Sequence, residues 1–443
     1  MKFINIYTDM DIKELYKIFL QNPVITTDSR NCPKDSIFFA LKGDTFDGNK
    51  FASKAIESGC KYAVVDSPDV EQGNGIIKVD DTLATLQKLA NLHRRTLKTK
   101  VIAITGTNGK TTTKELIASV LSRKYNILYT QGNFNNHIGV PLTLLRLRKE
   151  HEIAVIEMGA NHPGEIKTLV NIADPDYGII TNVGKAHLLG FGSFEGVVRT
   201  KGELYDYLRQ KGNCTIFINN DNPHLLAISR DLNAVAYGQA DDNALAVNGA
   251  LTENPTPYMS FRWKRHGHEW NDVQTHLIGA YNLDNALAAV TIGTYFGVKD
   301  EDATKAIEEY VPSNNRSQLK ETASNILIID TYNANPTSMG ASLNNFKNMK
   351  AEHKMCILGD MKELGEYGKA EHQKVVDTLQ ECGVETVWLV GNMFKDTKHP
   401  DNFRTFDNVD EVKDAIKAQS PKDMTILIKG SNSTKLYELP ELL

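Results

Sequence analysis

The chain has 443 residues, of which 24% are charged and 41% hydrophobic, with 50 Lys and Arg against 55 Asp and Glu. That length exceeds one ordinary domain and excludes a small disulfide-stapled module, while the composition excludes a disordered tail. A formal net charge of −5 is too slight to hold nucleic acid through bulk charge, although a local anion site stays open.

The five cysteines, Cys32, Cys60, Cys214, Cys356 and Cys382, are scattered, with no CxxC pair to suggest zinc or a redox motif. They point to a reduced compartment. The amino terminus, MKFINIYTDMDIKELYKIFL, carries acidic residues where a signal peptide needs an apolar core. No stretch approaches the ~18–20 apolar residues of a membrane span. A soluble, cytoplasmic monomer with no nucleic-acid partner is expected.

Taken in chain order, the first block combines a strand-like Ser36–Leu41, a helical FASKAIESG, and short apolar runs YAVVD and GIIKV. It closes with TLATLQKLANLHRRTL, a helix-period stretch with basic residues in its last turns. This predicts a small α/β domain over residues 1–98. Over 99–313, the runs VIAIT, IAVIE, GIIT and TIFIN recur between helical stretches, as in a mostly parallel buried sheet. Within it, Ala234–Ile278 alternates polar and apolar residues and predicts an antiparallel flank. Over 314–443, NILIID, KMCILG, TVWLVG and MTILIK predict four strands of a Rossmann-like, doubly wound domain. The fold class is therefore α/β in three domains.

The most informative segment is VIAITGTNGKTTTKELIASVL. A buried strand runs into Gly106-Thr107-Asn108-Gly109-Lys110-Thr111-Thr112 and then a helix, the context of a nucleotide-binding phosphate loop. Glycines let backbone amides turn onto phosphate oxygens, and the helix amino terminus adds partial positive charge. Lys110 would reach the β- and γ-phosphates and the Thr111 hydroxyl would ligate Mg²⁺. The spacing departs from the general pattern, since Ile104 stands where its first glycine belongs. The competing reading is a glycine turn before a surface helix, with Lys110 solvated.

Mg²⁺ on a nucleotide also needs a carboxylate from a neighbouring strand tip. Glu157 ends IAVIE and fits, although a strand-terminal Glu capping the next helix explains it equally well. His187 follows the strand candidate GIITN, and a single His is more often structural than a ligand. Lys201, in VVRTKGELY, reads on local pattern as a solvated lysine near a helix start.

Together these segments resemble the ATP-dependent Mur ligases of peptidoglycan synthesis, in which GTNGKT is the usual phosphate loop, and the likeness covers essentially the whole chain. Gly132-Asn133-Phe134-Asn135-Asn136 with Ile138–Pro141, Glu157–Asn161 with Gly164–Ile166, Asn182–Gly184 with Ala186-His187, and Tyr332-Asn333-Ala334-Asn335-Pro336 resemble the branch that adds a terminal dipeptide. Leu358–Met361 and Glu363–Gly365 carry the same likeness.

The resemblance implies a ligase that uses ATP and Mg²⁺ to join UDP-N-acetylmuramoyl-tripeptide to D-alanyl-D-alanine. It implies catalytic roles for Lys110, His187, Lys201 and Arg316. Metal ligation falls to Thr111, Glu157, His187 and a carbamylated Lys201, whose added carboxylate would reverse the local reading of that residue. ATP would be held by Gly106–Thr112, Asn282, Asn285, Arg316 and Asp330. Ser29, Arg30, Lys42, Asp47, Asn135, Asn136, Asn333 and Asn335 would meet the other substrates. The chain departs from the family at Tyr281, where His is usual, and at Asn432, where a KGSR-type motif has Arg.

Folylpolyglutamate synthetase shares the loop type, but its loop comes early, whereas about 100 residues precede the loop here. A Mur ligase adding the third residue has the same layout, and Tyr332–Pro336 argues for the dipeptide branch. A nucleotide switch without ligase activity would leave His187, Lys201 and the third block unexplained. A degraded paralogue would not keep the loop, Glu157, His187 and Lys201 together.

Overall fold

The computed structural model describes residues 11–71, 73–239, 242–253, 256–313 and 315–443. Residues 1–10, the first half of the segment weighed as a leader, lie outside them. Two compact units are present. The first comprises the chain up to Ala103 with Tyr125–Gly159 and Glu165–Tyr177; the second comprises Ile104–Lys124, Ala160–Gly164 and Gly178–Leu443.

In the first unit the strands Ile25–Thr26, Ile37–Phe39, Tyr62–Val65 and Ile76–Lys78 form a four-stranded parallel sheet in that order. Helix Thr82–Leu97 starts where Asp81 accepts the Ala84 amide at 2.8 Å and stops where Lys98 turns left-handed, φ 57°. Its apolar stripe, Leu86, Leu89 and Ala90, is buried, and Arg94 from the same face reaches Asp176 at 2.7 Å. Strand Ile153–Glu157 is buried at every residue and pairs in parallel with Ile127–Tyr129, as its continuous apolar run predicts.

In the second unit, strands Thr215–Asn219, Asn233–Gly238 and Val247–Thr252 are successive parallel neighbours. Antiparallel pairing joins Val247–Thr252 to Tyr258–Arg265 and that strand to Asn271–Ile278. The antiparallel flank thus begins at Val247 and not at Ala234. Asn233 and Ala234 are exposed while Tyr237 and Gly238 are buried, so the mixed polarity there marks a strand entering the core from solvent.

The carboxyl-terminal sheet has six strands in the spatial order Gln318–Glu321, Asn325–Asp330, Met424–Lys429, Lys354–Gly359, Thr386–Val390 and Phe403–Phe406. All are parallel except the first. Leu327, Ile329, Met355, Ile357, Ile426 and Ile428 enter one core, and Ile328, Cys356, Leu358 and Leu427 the other. Both faces are covered, which defines a doubly wound domain. The two strands beyond the four anticipated are edge strands, the polar QLKE and the four-residue FRTF, whose short or half-solvated patterns carry little signal.

Among the described residues no helix is long and apolar enough to cross a membrane.

Candidate active site

In the second unit, Thr105 ends its strand and Gly106 takes φ 147°. A Cβ there would lie 2.0 Å from Thr181 Oγ1, so only glycine fits. Gly109 caps helix Lys110–Leu121 at φ 77°, and a Cβ on it would lie 2.5 Å from Asn285 Oδ1. Ile104, where the general pattern has its first glycine, is a buried residue of the strand that leads into the loop. The loop is braced from the next strand end: Asn182 Oδ1 accepts the Asn108 amide at 2.9 Å and Thr181 Oγ1 donates to the Asn108 carbonyl at 2.6 Å. Thr107 Oγ1 accepts the Gly184 amide at 2.9 Å.

Lys110 Nζ donates to the Gly106 and Thr107 carbonyls at 2.8 and 3.1 Å, which folds the ammonium over the loop and overturns the solvated-lysine reading. Thr111 is buried and Thr112 half-buried in the helix's first turn. Beneath the loop, Thr113 Oγ1 donates to Asn285 Oδ1 at 2.9 Å, Asn285 Nδ2 to Asn282 Oδ1 at 2.8 Å, and Asn282 Nδ2 to the Ile278 carbonyl at 2.8 Å. Asn282 and Asn285 therefore support the loop from below through their own amides.

The carboxyl-terminal part of this unit comes to the same loop. Asn335 Nδ2 donates to Asn108 Oδ1 at 2.8 Å, and Asn108 Nδ2 returns to Asn335 Oδ1 at 3.4 Å. Asn335 also caps helix Pro336–Asn348, accepting the Ser338 amide at 2.9 Å. Asn333 Oδ1 accepts the Ala334 amide, and the Asn333 carbonyl accepts Lys429 Nζ at 3.4 Å. Lys429, 1% exposed, pairs with Asp330 at 2.5 Å, so Asp330 is fixed at its strand tip. Arg316 lies with its guanidinium 3.8 Å from the centre of the Tyr332 ring.

His187 stands in the left-handed region, φ 49°, and its Nδ1 is hydrogen-bonded to Glu363 Oε2. A carboxylate can only accept, so Nδ1 carries the proton; burial holds the imidazole below its usual pKa, leaving Nε2 with a lone pair for a metal or proton. Lys201 is 2% exposed in the middle of helix Phe194–Lys211. Its Nζ lies 3.2 Å from the Ala160 carbonyl and 5.3 Å from the Phe191 ring centre. The local reading of a solvated lysine is thus wrong, because Phe191 and Ala160 lie against its buried ammonium.

In the first unit Glu157 is 1% exposed at its strand end, and Asn135 Nδ2 donates to its Oε1 at 2.9 Å. Asn135 also accepts the Gly159 amide through its carbonyl at 2.8 Å. Asn136 Oδ1 accepts the Ile138 and Gly139 amides, closing the turn before helix Gly139–Leu144. The Asn135–Asn136 and Glu157–Gly159 motifs are thereby one local structure.

Asp28-Ser29-Arg30 is a tight turn in which Asp28 accepts both the backbone and the guanidinium of Arg30, which lowers the Asp28 pKa to about 2. Lys42 pairs with Asp66 at 2.8 Å, and Asp47 Oδ1 accepts the Asn49 amide at 3.0 Å. Among the described residues no hydrogen bond joins Ser29 or Arg30 to Lys42 or Asp47.

Sequence reasoning missed Glu363 as the partner of His187, Lys429 as the partner of Asp330, and Asn108 as the partner of Asn335. The motif residues around each were visible, but pairing across 176, 99 and 227 positions leaves no local pattern.

Three family models match the chain: "Mur ligase family, catalytic domain" over 23–94, "Mur ligase middle domain" over 104–293 and "Mur ligase, glutamate ligase domain" over 315–432. The chain is 35% identical to UDP-N-acetylmuramoyl-tripeptide--D-alanyl-D-alanine ligase of Bacillus subtilis (strain 168), over 98% of this chain and 97% of that one. It superposes on the crystal structure of MurF from Acinetobacter baumannii with a TM-score of 0.83 and 32% identity, covering 94% and 92% of the two chains. For MurF ligase from Thermotoga maritima in complex with ADP the values are 0.84 and 26%, over 96% and 97%. The chain belongs to the Mur ligase family.

Proposed function

We infer that this protein is an ATP-dependent ligase that joins D-alanyl-D-alanine to UDP-N-acetylmuramoyl-tripeptide in peptidoglycan precursor synthesis. The observation that carries the reading is the Asn108–Asn335 pair, which couples the phosphate loop to the Tyr332–Pro336 segment, the part of the chain most particular to the dipeptide-adding branch. The five cysteines are all free thiols, which suits a reduced, cytoplasmic setting.

A terminal carboxylate oxygen of the tripeptide attacks the γ-phosphorus of ATP, the bond to the β-phosphate oxygen breaks, and an acyl phosphate and ADP result. The dipeptide amine then attacks the acyl carbon, phosphate leaves, and the nitrogen gives up a proton. Lys110 and Arg316 lie in one unit and would offset the charge that develops on the transferred group. Asp330, held by Lys429, would meet the ribose, and Ser29, Arg30, Lys42 and Asp47 of the first unit the UDP end.

When bound, Mg²⁺ supplies further charge neutralisation on the phosphates. In the second unit the Thr111 hydroxyl and the His187 Nε2 lone pair are donors that would hold it; taken by itself, the buried Glu157 carboxylate of the first unit is an oxygen donor of the kind it prefers. Among the described residues no group of three His, Cys, Asp or Glu forms a metal cage. A carbamate on Lys201 would turn a buried cation into an oxygen ligand.

The test is phosphate release from ATP with the UDP-linked tripeptide, with and without D-alanyl-D-alanine, and the mass of the product. Dipeptide-dependent release with a pentapeptide product is expected. Release with glutamate and a folate instead would move the protein to the folylpolyglutamate reaction.

A further inference from the structure

Tyr281, beside the loop-supporting asparagines, has partners of its own. Gly279 ends strand Asn271–Ile278 at φ 95°, and a Cβ there would lie 2.3 Å from Tyr281 Cε1. The glycine makes room for the phenol ring. From this position the Tyr281 hydroxyl shares a 2.6 Å hydrogen bond with Ser317 Oγ.

Ser317 directly follows Arg316, and the backbone around Arg316 is unusual. Asn315 and Ser317 both take left-handed conformations, φ 55° and 48°, although neither is glycine. Such residues persist where their surroundings hold them. Here the Asn315 carbonyl accepts the Thr331 amide at 3.1 Å, and buried Ser317 is held by Tyr281. Arg316, set between these two anchors, stacks on Tyr332. The phenol also feels the Asp330 carboxylate, which adds to the effect of burial in keeping it protonated.

We propose that Tyr281 is a positioning residue for the nucleotide: through Ser317 its hydroxyl fixes the Arg316 segment, so that the guanidinium is pre-set to meet the phosphate chain. This rests on the reading of Arg316 as a phosphate contact. The 3₁₀ turn Ala280–Asn282 then serves the phosphate end of the nucleotide site twice, with Asn282 bracing the phosphate loop from below and Tyr281 bracing the arginine.

The test is a double-mutant cycle of Tyr281→Phe and Arg316→Ala, read as ATP affinity by calorimetry and as KM for ATP. Tyr281→Phe is expected to weaken ATP binding about three- to tenfold, the worth of one hydrogen bond. It should leave KM for the dipeptide unchanged, and Ser317→Ala should reproduce it. In the Arg316→Ala background Tyr281→Phe should cost nothing more. Losses that multiply across the two sites, wild-type ATP affinity in Tyr281→Phe, or a fall in melting temperature with all constants shifted together would each overturn the proposal. Because ATP affinity is the readout, the cycle stands whichever substrates are ligated. If the cycle fails while the dipeptide-dependent reaction holds, only the role of Tyr281 is refuted.

Discussion

Asn335 faces Asn108 amide to amide, with one bond of 2.8 Å and a return bond of 3.4 Å, and with its remaining acceptor capacity it caps the helix that follows. One side chain thus ties the phosphate loop to the carboxyl-terminal domain and starts that domain's first long helix. The two duties can be separated by substitution.

Asn335→Asp keeps an oxygen for the Ser338 amide but loses the donor to Asn108 and places a carboxylate beside a phosphate loop. We expect near wild-type stability with kcat/KM for ATP lowered at least about tenfold. Asn335→Ala loses the cap as well, which costs about 1 kcal/mol of stability. Thermal melts and steady-state kinetics on the two variants check this; equal losses of stability in both would contradict it.

Gly109→Ala puts a methyl group 2.5 Å from Asn285 Oδ1 in a left-handed conformation. The Thr113–Asn285–Asn282 chain must then yield. A destabilisation of about 1–3 kcal/mol with loss of ATP binding is expected, measured by denaturant unfolding and calorimetry. Unchanged nucleotide affinity would show that the loop does not depend on this packing.

How much of this was legible in sequence depended on whether the relevant pattern was local. Helix Thr82–Leu97 and the strand, loop and helix around Lys110 carry their periodicity and caps in consecutive residues, and they fold as the pattern implies. Lys201 shows the opposite case. Its neighbours Arg199 and Glu203 are polar, so nothing adjacent signals that Phe191 and Ala160 bury its ammonium. The edge strands Gln318–Glu321 and Phe403–Phe406 went unseen because one partner strand and partial exposure impose little constraint on composition. Glu363 is a further example, since its pairing with His187 is decided by where a distant turn lands.

Lys201→Met keeps the buried aliphatic stem and removes the charge. Stability should be equal to or above wild type, because burying an ammonium carries a desolvation cost that an apolar side chain of similar volume does not. Ligation should fall about a hundredfold or more and recover in part with added short carboxylic acids in Lys201→Ala, where there is room for them. Full activity in either variant would refute a metal-holding role.

Buried His372 accepts the Met361 amide at Nε2, 3.0 Å, and donates from Nδ1 to the Gly368 carbonyl, 2.7 Å. Burial holds its pKa below the ordinary 6.5, with smaller opposing effects from the Gly368 hydrogen bond and Asp360. The unfolded chain therefore binds a proton before the folded one does. This contribution is complete above pH ~6.5 and is lost as pH falls below it, by at most about 1.4 kcal/mol per pH unit. Urea unfolding at pH 8 and pH 5.5 should show the decline, and His372→Gln should flatten it; an unchanged slope in the variant would assign the decline to other groups.

The most direct test of the ligase account labels both oxygens of the tripeptide's terminal carboxylate with ¹⁸O and weighs the phosphate released during dipeptide addition. Transfer through an acyl phosphate predicts one labelled oxygen in each phosphate and none when Lys110→Ala abolishes turnover. A pentapeptide formed with unlabelled phosphate would contradict the mechanism, and no ATP-dependent product at all would contradict the assignment.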